Sequence, residues 1–224
     1  MNARSLRRLA GCLLITLVGI APMARAQKWQ TLFDGTSTAA WRGFKMESMP
    51  AGWRIVDGAL TRVDSAGDIV TRDEFADFEL ELEWKIPEGG NSGIMYHVTE
   101  AGKATYETGP EMQVLDDARH PDGKSRLTAA GADYGLYPSP AGVVKPAGEW
   151  NKVRIVVKGP HVEHWLNGKK VVEYELWSDD WKARLAKSKF TQWPGYGLAK
   201  SGHIALQDHD GQVAYRNIRI RKLP

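Results

Sequence analysis

Phe78-Glu79-Leu80-Glu81-Leu82-Glu83-Trp84-Lys85-Ile86 decides the fold class. Apolar side chains hold every even position and charged ones every odd position. That period of two belongs to an extended strand with one face in a core and the other in water. Trp53–Val56 and Ala59–Val63 flank Asp57-Gly58, and His161–Leu166 and Lys169–Leu176 flank Asn167-Gly168. Both dipeptides suit the left-handed backbone of a two-residue hairpin turn. Further strands are expected at Ile94–Val98, Glu111–Leu115, Val153–Lys158, His203–Gln207 and Val213–Ile220. One helix is expected from Ser178, a candidate N-cap, to Lys189, with Asp179 and Asp180 in its first turn. About ten short strands and one short helix predict an all-β, antiparallel two-sheet sandwich.

The N-terminus reads differently. Arg4, Arg7 and Arg8 precede an apolar run from Leu9 to Ala21, and Ala24-Arg25-Ala26 supplies a small-x-small cleavage pattern. The run is too short for a membrane span, so cleavage after Ala26 and export to the periplasm or medium are expected. Leu9-Ala10-Gly11-Cys12 also spells a lipid-attachment box, but that box should end the apolar run, and here Leu13-Leu14-Ile15 continue it. Residues 27–224 are then one domain, large enough for its own core. The leader holds four Arg and no acid, so its loss takes the formal charge from +3 to −1. No basic patch interleaved with aromatics marks a nucleic-acid partner, and no membrane contact is expected after cleavage. Cys12 is the sole cysteine, so the mature domain relies on its core and not on disulfides.

Parity next separates the polar residues. In Glu111-Met112-Gln113-Val114-Leu115-Asp116-Asp117, Met112 and Val114 face the core while Glu111 and Gln113 face away. In His203-Ile204-Ala205-Leu206-Gln207-Asp208-His209, Ile204 and Leu206 face inward, with His203, Gln207 and His209 opposite. A merely wet face reads like Glu79/Glu81/Glu83; acid–amide and His–Gln–His sets suit a ligand, although a wet face without a role fits the parity equally. Asn91 opens a strand after Glu88-Gly89-Gly90, and His97 lies further along it as either a catalytic or a hydrogen-bonded structural histidine. Arg216 shares parity with Ile218 and Ile220 and should point inward, toward a carboxylate or, through a bulge, into the site. Trp53, Trp84 and Trp165 fit core positions, and Trp177, Trp181, Trp193 and Tyr196 either cover one end of the sandwich or stack on sugars. Residues 117–150, rich in Gly, Pro, Ala and Asp, read as a long functional loop. Phosphate-loop, dinucleotide, G-x-S-x-G and H-E-x-x-H motifs are absent from the sequence, and His161-x-x-His164 puts its two rings on opposite faces.

The segments NSGIMYH (91–97), EMQVLDD (111–117), PAGEWNKVRIVVKGPHVEHWLNGKKV (146–171) and SGHIALQDHDGQVAYRNIRIRK (201–222), with the opening WQTLFDGTSTAAWRGF (29–44), together resemble the 3-keto-disaccharide hydrolase domain family. The resemblance covers nearly all of residues 27–224. It implies a concanavalin A-like jelly roll of the lectin/glucanase type, secreted by bacteria, which cleaves glycosides oxidised at C3. A looser likeness joins Glu111, Gln113 and Asp116 to the E-x-D-x-x-E strand of laminarinase-type glucanases. The amide at 113 and the shorter acid at 116 break the two-carboxylate pattern of retaining hydrolysis. A 3-keto sugar offers another route: its carbonyl acidifies C2–H, and a base there allows the C1 substituent to be expelled. On this reading Glu111 is the base or acid, with His209 or His97 as counterpart. Asn91, Gln113 and Gln207 bind hydroxyls, and Lys145 or Arg216 polarises the carbonyl. A divalent metal held by Asp116, Asp208 and His209 is the alternative polariser. The partner is then a small carbohydrate. A non-catalytic carbohydrate-binding jelly roll, or a structural or adhesion domain without a site, are the competing classes.

Overall fold

The computed structural model describes residues 28–224. The expected leader and its cleavage point after Ala26 lie outside the described residues. Thirteen strands follow in chain order: β1 (Gln30–Phe33), β2 (Trp41–Gly43), β3 (Trp53–Val56), β4 (Ala59–Arg62), β5 (Ile69–Thr71), β6 (Phe78–Lys85), β7 (Asn91–Val98), β8 (Glu111–Leu115), β9 (Asn151–Lys158), β10 (His161–Leu166), β11 (Lys169–Glu175), β12 (His203–Leu206) and β13 (Ala214–Lys222). The helix α1 (Asp179–Leu185) separates β11 from β12.

Pairing is antiparallel in every ladder, which confirms the two-sheet jelly roll. One sheet runs β11-β10-β9-β6-β13-β4-β3, with β1 also on β13, and the other runs β2-β5-β12-β7-β8. The alternation in β6 does what its sequence requires: Phe78, Leu80, Leu82 and Trp84 are buried between the sheets. They meet Ile94, Met112, Val114, Ile204 and Leu206 from the five-stranded sheet in one core cluster. Asp57 and Asn167 take φ of 50°, as the two hairpin turns demand.

Three departures from simple alternation matter for function. His97 has φ 52°, and the β7–β12 register slips between His203 and Ala205. Asn217 has φ 53°, and the β13–β6 register slips between Arg216 and Arg219. Each is a bulge, and one extra residue moves the neighbouring side chains to the opposite face. Trp165 corrects the expected core position: it lies on the outer face of β10, packed under Arg154 and Lys170, while His164 and Leu166 go inward.

The helix is shorter than expected. Ser178 does cap it, accepting from Trp181 N at 3.1 Å. Tight bonds from Lys187 N to Arg184 O and from Ser188 N to Leu185 O close its last turn. Ser188 then accepts from Phe190 N and starts a separate 3-10 turn at Lys189–Gln192. Residues 131–134 run beside the β8 edge: Gly131 N donates to Gln113 O, Gln113 N to Ala132 O and Tyr134 N to Glu111 O. An edge that would otherwise be open is thereby covered.

Candidate active site

A pocket of about 360 Å³ opens on the outer face of the five-stranded sheet. Its floor is the polar face of β8, where the two-residue period sends Glu111 and Gln113 away from Met112 and Val114. Opposite them on β7 stand Met95 and Gly93. A Cβ on Gly93 would lie 1.8 Å from Glu111 Oε1 and 2.6 Å from its Cδ, so the carboxyl rests on space that only glycine leaves free. Asn91 and Gln207 complete the floor, and His209 stands at the rim, 45 % exposed. Four residues expected from parity, Glu111, Gln113, Gln207 and His209, thus share one pocket with Asn91, expected from the turn before its strand.

Glu111 is 6 % exposed and makes no side-chain hydrogen bond among the described residues. Burial pushes its carboxyl up to about 8; the Lys189 ammonium opposes that, and the charges of Asp68, Asp133 and Asp122 add to it. Gln113 Nε2 donates to Asn91 Oδ1 at 3.2 Å, while Gln113 Oε1 is buried without a partner among the described residues. A buried amide oxygen in that state favours a ligand that brings a donor. Gln207 is held by its backbone, through Gln207 N to Gly93 O at 3.0 Å and Ser92 Oγ to Gln207 O at 2.6 Å.

The irregular loop and the second helical turn supply the walls, with Asp122 and Tyr134 from the first and Lys189, Phe190 and Trp193 from the second. His120 Nδ1 accepts from Asp122 N at 3.1 Å, and its Nε2 lies 3.5 Å from Asn91 Nδ2 and 3.6 Å from Asp210 Oδ2. Asp210 Oδ2 also lies 2.9 Å from His209 Nδ1. Tyr134 Oη donates to Asp122 Oδ2 at 3.0 Å. The sequence marked the loop, but no strand period points to His120, Asp122, Tyr134 or Lys189. A glycine inside an otherwise regular strand, Gly93, was the available signal that something approaches the sheet there.

Five expected site residues lie elsewhere. The bulge at His97 turns its ring into the core, edge-on to Phe78 and Tyr96, with Nε2 2.8 Å from Ala76 O; burial lowers its pKa. The bulge at Asn217 leaves Arg216 on the outer face of the eight-stranded sheet, bonded to Glu83 at 2.8 Å and stacked 4.0 Å over Trp150. Lys145 lines a separate cavity of about 280 Å³ and donates to Trp150 O at 3.1 Å. Asp116 lines that second cavity too, and is occupied in closing turns, accepting from Gly89 N at 2.8 Å and Ala118 N at 3.1 Å. Asp208 is saturated by Arg62 at 2.5 Å and by Ala66 N and Gly67 N at 2.6 Å each. Asp116, Asp208 and His209 therefore do not form the expected metal-ligand set. His161, Glu163 and Glu173 are the one group among the described residues whose donor atoms lie within 4.8 Å of one another. Lys170 Nζ already sits 3.2 Å from Glu163 and 2.6 Å from Glu173, so both carboxylates of that cluster are engaged by one ammonium.

Known proteins resemble this chain in sequence and fold. The family model described as "3-keto-alpha-glucoside-1,2-lyase-like domain" matches residues 28–221. A 3-keto-disaccharide hydrolase of Bacteroides thetaiotaomicron is 36% identical, over 88% of this chain and 79% of that protein. A crystal structure of a candidate glycosyl hydrolase from Parabacteroides distasonis superposes with a TM-score of 0.82 at 34% identity, covering 88% of this chain and 94% of that one. A carbohydrate-binding module from Bacillus subtilis shares the fold alone, with a TM-score of 0.51 at 13% identity over 82% of this chain and 96% of the module.

Proposed function

Because the chain belongs to the 3-keto-alpha-glucoside-1,2-lyase-like domain family, we propose that it is an exported glycosidase-type hydrolase acting on small glycosides oxidised at C3. The carrying observation is Glu111: a buried acid whose carboxyl has no hydrogen-bond partner among the described residues, pKa about 8, on a floor of amides. Retaining hydrolysis would want a second carboxylate beside it, and Gln113 stands on that strand instead. Proton abstraction from C2 wants a single base whose pKa lies near the working pH, which fits Glu111.

The reaction balances as follows. The Glu111 carboxylate takes the C2 proton, and the C2–H electrons move into an enolate whose negative charge rests on O3. Collapse of the enolate breaks the C1–O bond, with His209 supplying the proton to the leaving oxygen. Its Nδ1 faces Asp210 at 2.9 Å, which steadies the ring at the pocket rim. Water then adds across C1 and C2, so the net change is hydrolysis. Asn91, Gln113 and Gln207 bind the ring hydroxyls, and the unpartnered Gln113 Oε1 accepts from one of them. The test incubates purified protein with a 3-keto-glycoside in deuterated water. Deuterium at C2 of product or recovered substrate is expected. Cleavage without exchange would replace abstraction by direct hydrolysis, and binding without cleavage would make the domain a carbohydrate-binding module.

A further inference from the structure

The chemistry above leaves one role unfilled. Removing the C2 proton places negative charge on O3, and that charge needs a fixed counter-charge or donor in the pocket. Lys145 and Arg216 lie elsewhere, in the second cavity and on the opposite sheet. We propose that Lys189, through its Nζ, binds the C3 carbonyl oxygen and stabilises the oxyanion formed when Glu111 removes the C2 proton. The assignment rests on the reading of the substrate as a 3-keto-glycoside.

Four observations carry it. Lys189 and Glu111 line the same pocket. Lys189 Nζ has no carboxylate within 4.0 Å among the described residues; Asp122, the acid on the same wall, is engaged by Tyr134 Oη at 3.0 Å. The ammonium sits instead on aromatic faces, 4.4 Å from the Tyr134 centroid and 5.4 Å from that of Phe190. Lys189 Nζ makes no hydrogen bond among the described residues, so N–H donors remain available to a ligand. The base of the side chain is also fixed. Ser188 caps the turn that starts at Lys189, and its neighbour Phe190 is buried and stacked on Tyr196 at 4.0 Å with a 15° interplanar angle.

A positive charge beside the base favours the reaction twice. It opposes the effect of burial on Glu111, and it matches the charge that appears on O3 as the proton leaves. The assignment uses the Lys189 side chain as a charge and hydrogen-bond donor, so no covalent imine with the ketone is part of it.

The test compares wild type, Lys189→Arg and Lys189→Gln on a 3-keto-glycoside in deuterated water, following C2 exchange, kcat and KM, with circular dichroism and thermal melting as folding controls. Lys189→Gln should slow C2 exchange and kcat by about a hundredfold with a smaller change in KM. Lys189→Arg, which keeps the charge but cannot form an imine, should recover to within about tenfold of wild type. Exchange in Lys189→Gln within twofold of wild type overturns the assignment, and so does Lys189→Arg falling as low as Lys189→Gln. A borohydride-dependent mass increase on wild type also overturns it, in favour of an imine. Wild type that neither exchanges nor cleaves the ketoglycoside removes the substrate reading and the assignment with it, a result separate from a loss seen only in the variants.

Discussion

Both sheets turn a glutamate-bearing face outward, and the two faces have opposite chemistry. On β6, Glu83, Glu81 and Glu79 stand directly across from Arg216, Arg219 and Arg221 of β13. Each acid is bonded to its partner, at 2.8, 2.9 and 2.7 Å respectively. Burial raises the Glu79 carboxyl, but Arg221 and Arg154 together outweigh that and hold it below the ordinary value. On β8, Glu111 faces Met95 across the strand pair, its carboxyl lies over Gly93, and it is pushed up to about 8. Residue type and period are the same on both faces. The residue across the ladder decides whether an acid is a structural ion pair or a reactive group.

The sharpest way to break this contrast is Glu111→Gln. Turnover should fall at least a hundredfold, because the amide cannot take a proton from carbon; near-normal turnover would reject the assignment. Stability should move the other way. The folded-state pKa of Glu111 is raised from 4.5 to about 8, so the folded protein holds a proton that the unfolded chain has released. Unfolding between those values releases that proton, and stability falls as pH rises. Asp133, buried in the core with its pKa also raised to about 8, contributes in the same direction. His164 and His97, lowered by burial, oppose them below their ordinary value of 6.5, and that opposition fades as pH rises above it. Denaturant melts from pH 6.5 to 8 should therefore show wild-type stability declining, and Glu111→Gln should remove about one proton's worth of that slope. An unchanged slope would mean that Glu111 is ionised throughout.

Much of this site was legible in the sequence, and what was not has definite physical causes. Alternation on β8 and the end of β12 placed Glu111, Gln113 and Gln207 on one face, because those segments keep a strict period of two. The same argument failed at Arg216, and a bulge also sets His97, which takes the hydrogen-bonded structural role that the sequence left open beside a catalytic one. A single residue near φ 52–53° inserts a bulge there, and nothing in the side-chain pattern announces a left-handed His or Asn inside a strand. His120, Asp122, Tyr134 and Lys189 come from a loop and a 3-10 turn, where position follows tertiary packing and capping, not a repeat. Strands β1, β2 and β5 escaped notice because three or four residues display little alternation and no Asp-Gly or Asn-Gly turn marks them, as Asp57-Gly58 marks the equally short β3 and β4.

A smaller effect is expected at the glycine that lies diagonally across the ladder from the acid. In Gly93→Ala the new methyl would occupy the place of the Glu111 carboxyl, where Oε1 lies 1.8 Å from the ideal Cβ. The side chain has to swing off the floor, and misplacing a catalytic group by about 1 Å costs on the order of tenfold to a hundredfold in rate. Turnover should drop by at least about tenfold while the pocket still binds carbohydrate, measured by kcat against the dissociation constant of an unreacted sugar. Unchanged kcat would show that Glu111 does not need the space that glycine leaves.

The smallest effect belongs to the other sheet. Glu81→Gln removes one carboxylate from the ladder on β6, opposite Arg219. The pair is partly solvated, with the Arg219 side chain 51% exposed and that of Glu81 33% exposed, so the Coulomb gain is screened and ordering two side chains offsets it. Arg219 also keeps its stacking over Trp29, 4.4 Å from the ring centroid, so the substitution leaves no stranded buried charge. Stability should fall by less than about 1 kcal/mol, and turnover should stay at the wild-type value. The loss should shrink further in high salt, since an exposed pair is screened while the buried Glu111 is not. A large fall in turnover in Glu81→Gln would couple the two faces through the core and undo the separation between structural and reactive acids. Equal turnover, set beside the collapse expected of Glu111→Gln, would show that two glutamates of the same strand period differ in function because of what stands across from them.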